Sequence, residues 1–525
     1  MKSLATLAAT AALSLGSAAA QIETVDLDDS AFALGALTPR TGALPADLWE
    51  GADADTVAGL LAALPDRFAE PAYLDLARRV LLSPGEGPEG AGNALAGAKL
   101  LAAARLGFYR DAAGLAEIAP GLRTEAALSE VVAYAALLDG DMAEACARGA
   151  NLRVGRQDPF WLKLRFLCYV ENDEGPAADL TLGLLRDQDA LTEGDDRLFT
   201  ALLAGGGAQT AVSPANAFQY AAARMAGMPV APAALGEAPG ALVTAIARDA
   251  AATSSLRADA IERALALGLL QGEEARTLVS QLGNNALAEE VATVIERDQG
   301  SLDQATALAE SLRAASGWDA YRARAALFAD IVEETRPTLG YAPFAGEFAL
   351  AAMANGQGGA AQRWLRAVLA DGTDSTTPLP PEDLLRLYSV LDPDAAERLA
   401  ERAQLTVEPV PPTLLFADEA AQAGTDLAGL LELALSAAHS GSSGAAALAA
   451  LTGLGTEATE ETEAFRTTLV EVMLRQSGHA DSIARRLSFD ELAAAAVGQG
   501  TDETQDDPAE AETGEPVPRL KPEGQ

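Results

Sequence analysis

The feature that most constrains this chain is an apolar period of helical type. It runs almost without a break from Asp53 to the neighbourhood of Gly498, cut only by short turns. Leu128, Val131, Val132, Ala135 and Leu138 fall on one face of an α-helix. Phe160, Trp161, Leu164, Leu167 and Cys168 do the same. Such runs last roughly 10–16 residues and stop at Gly, Asp, Asn or Pro, as helices do. Sustained alternation of Val, Ile, Thr and aromatic residues is missing, so no sheet is predicted and the fold class is all-α. Hydrophobic residues make up 49% of the chain but aromatics only 5%, so Ala and Leu must build the core and helices can approach closely.

The turns recur with a period. A turn residue is followed five positions later by Ala at Gly107/Ala112, Gly140/Ala145 and Asn172/Ala177, and again at Gly356/Ala361 and Gly441/Ala446. A helix that must stop and reverse favours Gly or Asn just past its end. The next helix must then pack closely on the first, which favours a small residue on its inner face. This pattern resembles the tetratricopeptide repeat (TPR), a helix–turn–helix unit of about 34 residues. Trp161 and Leu164 sit where that family carries its first-helix aromatic and Leu, and the likeness is clearest over residues 93–187. The resemblance implies a TPR-like α-solenoid, a superhelix of stacked hairpins. Residues 161–168 and 44–49 are also similar to uncharacterised exported proteins of alphaproteobacteria, which implies an address and no activity.

The start of the chain points to the same address. Lys2 provides a positive n-region, and residues 4–15 are an apolar stretch too short for an ordinary membrane span. Gly16 and Ser17 interrupt it, and three Ala follow. Residues 1–20 thus read as a signal peptide cleaved between Ala20 and Gln21. No further transmembrane segment is expected in the mature chain, and the predicted location is the periplasm or the exterior. Residues 21–52, spaced by Gly and Pro and ending in Leu48 and Trp49, read as an extended arm that packs on the first helices. Residues 53–204 read as TPR-like repeats and 205–498 as further helical repeats. It stays open whether these form one superhelix or two blocks meeting near residues 205–240. From Gln499 the composition turns acidic with few large apolar residues, so residues 499–525 read as a disordered tail.

Charge narrows the function classes. The formal net charge is −39, which argues against non-specific binding to nucleic acid or anionic lipid. It favours basic partners through a salt-sensitive encounter. Two His and two Cys leave little material for a transition-metal centre, and no motif calls for a cofactor. Cys146 and Cys168 lie on consecutive predicted helices and can face each other; in an oxidising compartment a disulfide is their expected state. Their spacing is unlike the Cys-x-x-Cys of redox pairs. His439 and His479 sit near predicted helix ends and read as surface or capping residues. No Gly-x-Ser-x-Gly elbow surrounds any Ser. Glu310-Ser311, the one dipeptide reminiscent of lytic transglycosylases, lies in a plain amphipathic helix. The acidic groups Asp26/Asp28/Asp29, Glu193/Asp195/Asp196 and the one from Asp502 to Asp507 lack EF-hand spacing, and Asp195/Asp196 read as a helix start. In the tail, Pro518, Arg519, Leu520, Lys521 and Pro522 form either a docking peptide or part of a solubilising terminus.

Two expectations follow. The first is a non-enzymatic periplasmic helical-repeat scaffold or adaptor that binds another envelope protein, with contacts on the inner face of the early repeats. The alternative is an envelope hydrolase acting on peptidoglycan or another glycan. That alternative calls for a deep pocket with two carboxylates and a Trp such as Trp161, Trp318 or Trp364.

Overall fold

Helix boundaries follow local chemistry throughout. In the computed structural model, which describes residues 30–122, 125–206, 210–338, 341–371, 379–414 and 424–502, Asp53 caps α1 (Ala54–Ala63) by accepting the Thr56 amide at 2.8 Å. Pro71 opens α2 (Pro71–Leu82), where its missing N–H costs nothing. Then come α3 (Asn93–Ala103), a π-turn (Ala104–Phe108), α4 (Tyr109–Ile118), α5 (Ala126–Asp139), α6 (Met142–Asn151), α7 (Pro159–Glu171), α8 (Gly175–Asp187) and α9 (Glu193–Leu203). The chain continues through α10 (Ala217–Met225), α11 (Ala234–Glu237), α12 (Gly240–Arg248), α13 (Ser254–Ala266), α14 (Gly272–Ser280), α15 (Ala286–Ile295), α16 (Leu302–Arg313), α17 (Trp318–Leu327) and α18 (Ala329–Glu334). It ends with α19 (Ala345–Ala354), α20 (Gly358–Asp371), α21 (Pro381–Leu391), α22 (Pro393–Ala403), α23 (Leu427–Ser440), α24 (Ser443–Gly455), α25 (Glu463–Gln476) and α26 (Ala480–Asp502). Among the described residues there is no strand, only the isolated bridges Asp53–Glu89 and Val212–Val230. No described helix is long and apolar enough to cross a membrane. The all-α class is as expected.

Successive helices pack in hairpins: α5 on α6, α7 on α8, α12 on α13, α19 on α20, α23 on α24. The turn rule holds with one shift of register. Gly107, Gly140, Gly356 and Gly441 all have positive φ, and Ala112, Ala145, Ala361 and Ala446 are fully buried. At the third turn the left-handed residue is Asp173 (φ 59°) rather than Asn172, and the buried small residue is Ala178 rather than Ala177. Asp, like Asn, tolerates the left-handed region, so the turn moves one position and the spacing from Gly140 matches that from Gly107 to Gly140.

The early and late helices share one continuous apolar core. Gly240, at the start of α12, lies so close to the π-turn that a Cβ there would come within 2.0 Å of the Leu106 carbonyl oxygen. Only glycine permits that approach, and Thr244 Oγ1 adds a hydrogen bond to the Gly107 carbonyl at 3.3 Å.

The repeat path also returns on itself. Thr56 Oγ1 on α1 pairs with Ser436 Oγ on α23 at 2.6 Å, and Thr452 Oγ1 on α24 donates to the Leu60 carbonyl at 3.3 Å. The Gly444 amide and Ser442 Oγ both donate to the Leu48 carbonyl, at 2.8 and 2.7 Å. Helix α24 consists almost wholly of small residues and Leu and is buried from Gly444 to Gly455, so α1, α2, α23 and α25 pack around it. Helix α26 packs on α2, α17 and α21.

Residues 30–52 pack as an arm on this junction through short 3₁₀ turns (Ala31–Ala33 and Pro39–Thr41). Phe32, Leu48 and Trp49 are buried, with the Phe32 and Trp49 rings edge to face at 5.5 Å. The Lys99 ammonium group is also fully buried; it donates to the carbonyls of Phe32 and Leu34 and sits 4.4 Å from the Phe32 ring centroid.

Candidate functional site

Helices α6 and α7 carry the two cysteines. They form a Cys146–Cys168 disulfide with Cα atoms 5.8 Å apart. The expected cleavage residues Ala20 and Gln21, and the candidate docking peptide Pro518, Arg519, Leu520, Lys521 and Pro522, lie outside the described residues. The last helix runs to Asp502, past the change of composition at Gln499.

The remaining candidates separate cleanly. His439 is exposed in the last turn of α23, its Nδ1 2.7 Å from the Leu435 carbonyl oxygen. His479 stands just before α26, where burial and then the nearby Arg79 lower its pKa. Glu310 is exposed on α16, while Ser311 donates to Glu290 at 2.5 Å. Asp195 is a structural residue of the α9 start. Its fully buried carboxylate takes Lys163 Nζ at 2.7 Å, Gln219 Nε2 at 2.9 Å and Asn216 Nδ2 at 3.1 Å. Burial opposes its ionisation, but these bonds together hold the carboxyl below the usual range. Among the described residues no group of three or more His, Cys, Asp and Glu could hold a metal ion.

Three of the concavities among the described residues bear on function. The first, about 730 Å³, lies between the α5–α6 turn, α10 and the start of α13. Its apolar floor includes Leu137, Met142, Tyr220, Met225, Met228 and Leu256. Arg224 on its wall is bound to Asp249 at 3.0 Å, and Asp249 also accepts from Tyr220 Oη at 2.7 Å. That pair is neutral, which leaves the exposed Asp141 and Glu171 to set the sign of the rim. Gly140 forms the α5 cap with positive φ, and Arg224 lies directly against it.

The second, about 670 Å³, is lined by residues of α2, α13, α17 and α26 and holds Trp318 with Glu70, Asp319, Asp490 and Glu491. These are the residue types that the hydrolase alternative calls for. Their bonding is restrictive. The Trp318 ring stacks on Tyr321 at 5.5 Å, and its Nε1 donates to Asp490 at 3.2 Å. Asp319 pairs with Arg263 at 3.2 Å and Asp490 with Arg486 at 3.0 Å. Glu70 has a raised pKa, chiefly through burial; Asp490 and Asp319 add to this and Arg322 opposes it. Trp161 and Trp364 are core residues, Trp364 donating to the Val332 carbonyl.

The third concavity, about 550 Å³, shares Pro71, Leu74, Leu267 and Arg322 with the second and is lined mainly by basic and neutral side chains. Sequence reasoning missed the Met group and Arg322. Met225 and Met228 flank the end of α10 with no motif to mark them, and nothing around Arg322 differs from any amphipathic helix.

No protein-family model matches the chain, and no curated protein and no solved structure matches it either. The fold and the concavities are those of an all-helical, repeat-like protein with open grooves.

Proposed function

We propose that this chain is a non-enzymatic, TPR-like scaffold of the bacterial periplasm whose task is to bind another envelope protein. The observation that carries the reading is the first groove: an open, Met-rich apolar floor rimmed by Asp141 and Glu171 on a helical-repeat body. Methionine side chains are flexible and polarisable and adapt to varied apolar partners. The acidic rim suits a segment that carries Lys or Arg beside its apolar anchors, and the net charge of −39 steers such a partner toward the surface. The Cys146–Cys168 disulfide is in keeping with an oxidising compartment. Affinity capture from envelope extracts tests the reading. Wild type recovers a partner that is lost when Asp141→Lys and Glu171→Lys are combined, or when Met225→Gln is introduced, with helicity unchanged. Equal recovery by all three proteins contradicts it.

The second concavity favours one other reading, a glycan-acting hydrolase with Glu70 as its acid, since burial raises the pKa of that carboxyl. Trp318 has its ring stacked on Tyr321, and Asp319 and Asp490 are each held by an arginine, so the scaffold reading is preferred. The expected outcome is no release of soluble fragments from purified peptidoglycan, by wild type and by Glu70→Gln alike. Release by wild type that Glu70→Gln abolishes reverses the preference.

A further inference from the structure

We propose that the third concavity is a binding site for a small organic oxyanion, a carboxylate or phosphate ester that also carries a hydroxyl or amide N–H, with Arg322 and Arg79 as its cationic partners.

The arginines on its wall differ in what neutralises them. Arg78 is held by Asp75 at 3.1 Å and by the Thr41 carbonyl. Arg486 is held by Asp490 at 3.0 Å and by the carbonyls of Met353 and Ala354 at 3.1 and 2.6 Å. Arg79 has no carboxylate partner among the described residues; its Nε donates to the Gly42 carbonyl at 2.8 Å. Arg322 is only 9% exposed, and no hydrogen bond or ion pair joins it to a described residue. Of the charges that act on it, the carboxylates Asp490, Asp319 and Glu70 line the second concavity, and the cation Arg486 lines the third. Two of them already have their own arginines, Arg486 and Arg263. A largely buried guanidinium that no carboxylate among the described residues pairs with is open to an anion from the concavity, and it keeps its charge at any physiological pH.

The neighbouring residue on the same helix shows the contrast. Arg324 is neutralised twice, by Glu262 and by Glu290. In a chain with about two acids per base, an unpaired buried arginine is therefore not a shortage of carboxylates.

A second polar group is also unmet. Gln357 Nε2 donates to the Ala329 carbonyl at 2.9 Å, but its Oε1 is buried without a hydrogen-bond partner. It lines the same concavity and asks for a donor. Leu74, Leu267, Leu270 and Phe108 supply apolar wall, and the volume is in the range of small-molecule sites. An arginine fork meets carboxylate and phosphate alike, so both share the chemistry. This site is independent of the Met-rich groove.

Isothermal titration calorimetry on the mature chain at constant ionic strength tests the proposal, with citrate, glycerol phosphate and inorganic phosphate as probes. Saturable binding of at least one probe is expected, and whether citrate or a phosphate binds separates the two ligand sources. Arg322→Gln is expected to weaken it by about tenfold or more, and Arg79→Gln by several-fold. Arg475→Gln, at an exposed arginine that lines none of these concavities, leaves it unchanged. If Arg322→Gln does not fold, Arg79→Gln and Arg322→Lys decide, since Lys lacks the fork. Absence of saturable binding up to about 10 mM of every probe overturns the proposal, as does equal binding by wild type and both arginine variants.

Discussion

Lys99 and Arg322 are both buried cations, but each has its own consequence. Burial lowers the Lys99 pKa from 10.5 to about 7. In the unfolded chain the proton stays on up to the ordinary lysine range, so between about pH 7 and 10.5 the folded chain holds one proton fewer. Stability therefore rises with pH across that window, and the full cost of the buried charge is felt below pH 7. Thermal unfolding from pH 6 to 9 checks this. The melting temperature of wild type is expected to gain relative to Lys99→Met, whose own pH profile lacks this contribution. Parallel profiles contradict it. Neither role was legible beforehand. Lys99 reads as one polar residue of an amphipathic helix, and Arg322 reads like Arg324. Which arginine finds carboxylates is decided by helices far apart in the chain, those carrying Glu262 and Glu290. The cysteines were legible because their helices are consecutive and only one pairing exists.

At the scale of elements, the helical period and the turns carried most of the information. The faces of α5 and α7 are buried as their spacing implies, Leu128, Val131, Leu164 and Leu167 among them. At the third turn the spacing points to Asn172 as the reversal point, whereas Asp173 adopts the left-handed conformation. A non-glycine residue there is strained, so Asp173→Gly is expected to stabilise the chain by about 0.5–1 kcal/mol in urea unfolding. Loss of stability contradicts that account of the turn. The α6–α7 hairpin is held by the disulfide, which closes a loop of 22 residues. Replacing both Cys146 and Cys168 by Ser is expected to cost about 2–4 kcal/mol, read as a shift of the urea midpoint. A midpoint equal to wild type shows that the hairpin stands without it. Return contacts such as Thr56 with Ser436 were not legible, because no local pattern says which distant helix an apolar face will meet.

For the whole molecule, the arm, α1 and α2 meet α23, α24 and α26, so the repeat array is one body with a shared core. Many of its arginines are turned inward into ion pairs with the plentiful carboxylates, such as Arg276 with Asp330 and Arg248 with Glu274. The acidic excess predicts a surface suited to basic partners, and the proposed function assigns that role to the Met-rich groove beside Asp141 and Glu171. The basic concavity around Arg322 runs against the overall charge and was invisible in composition.

The central claim is that the Met-rich groove is where a partner binds. The most direct measurement places a photo-crosslinking amino acid at position 225 in the full chain, expressed in its native cells, with a second version at the exposed Val154 as control. The account predicts a discrete crosslinked partner at 225, reduced by Asp141→Lys with Glu171→Lys, and none at 154. No adduct at 225, or the same adduct pattern at both positions, would contradict it.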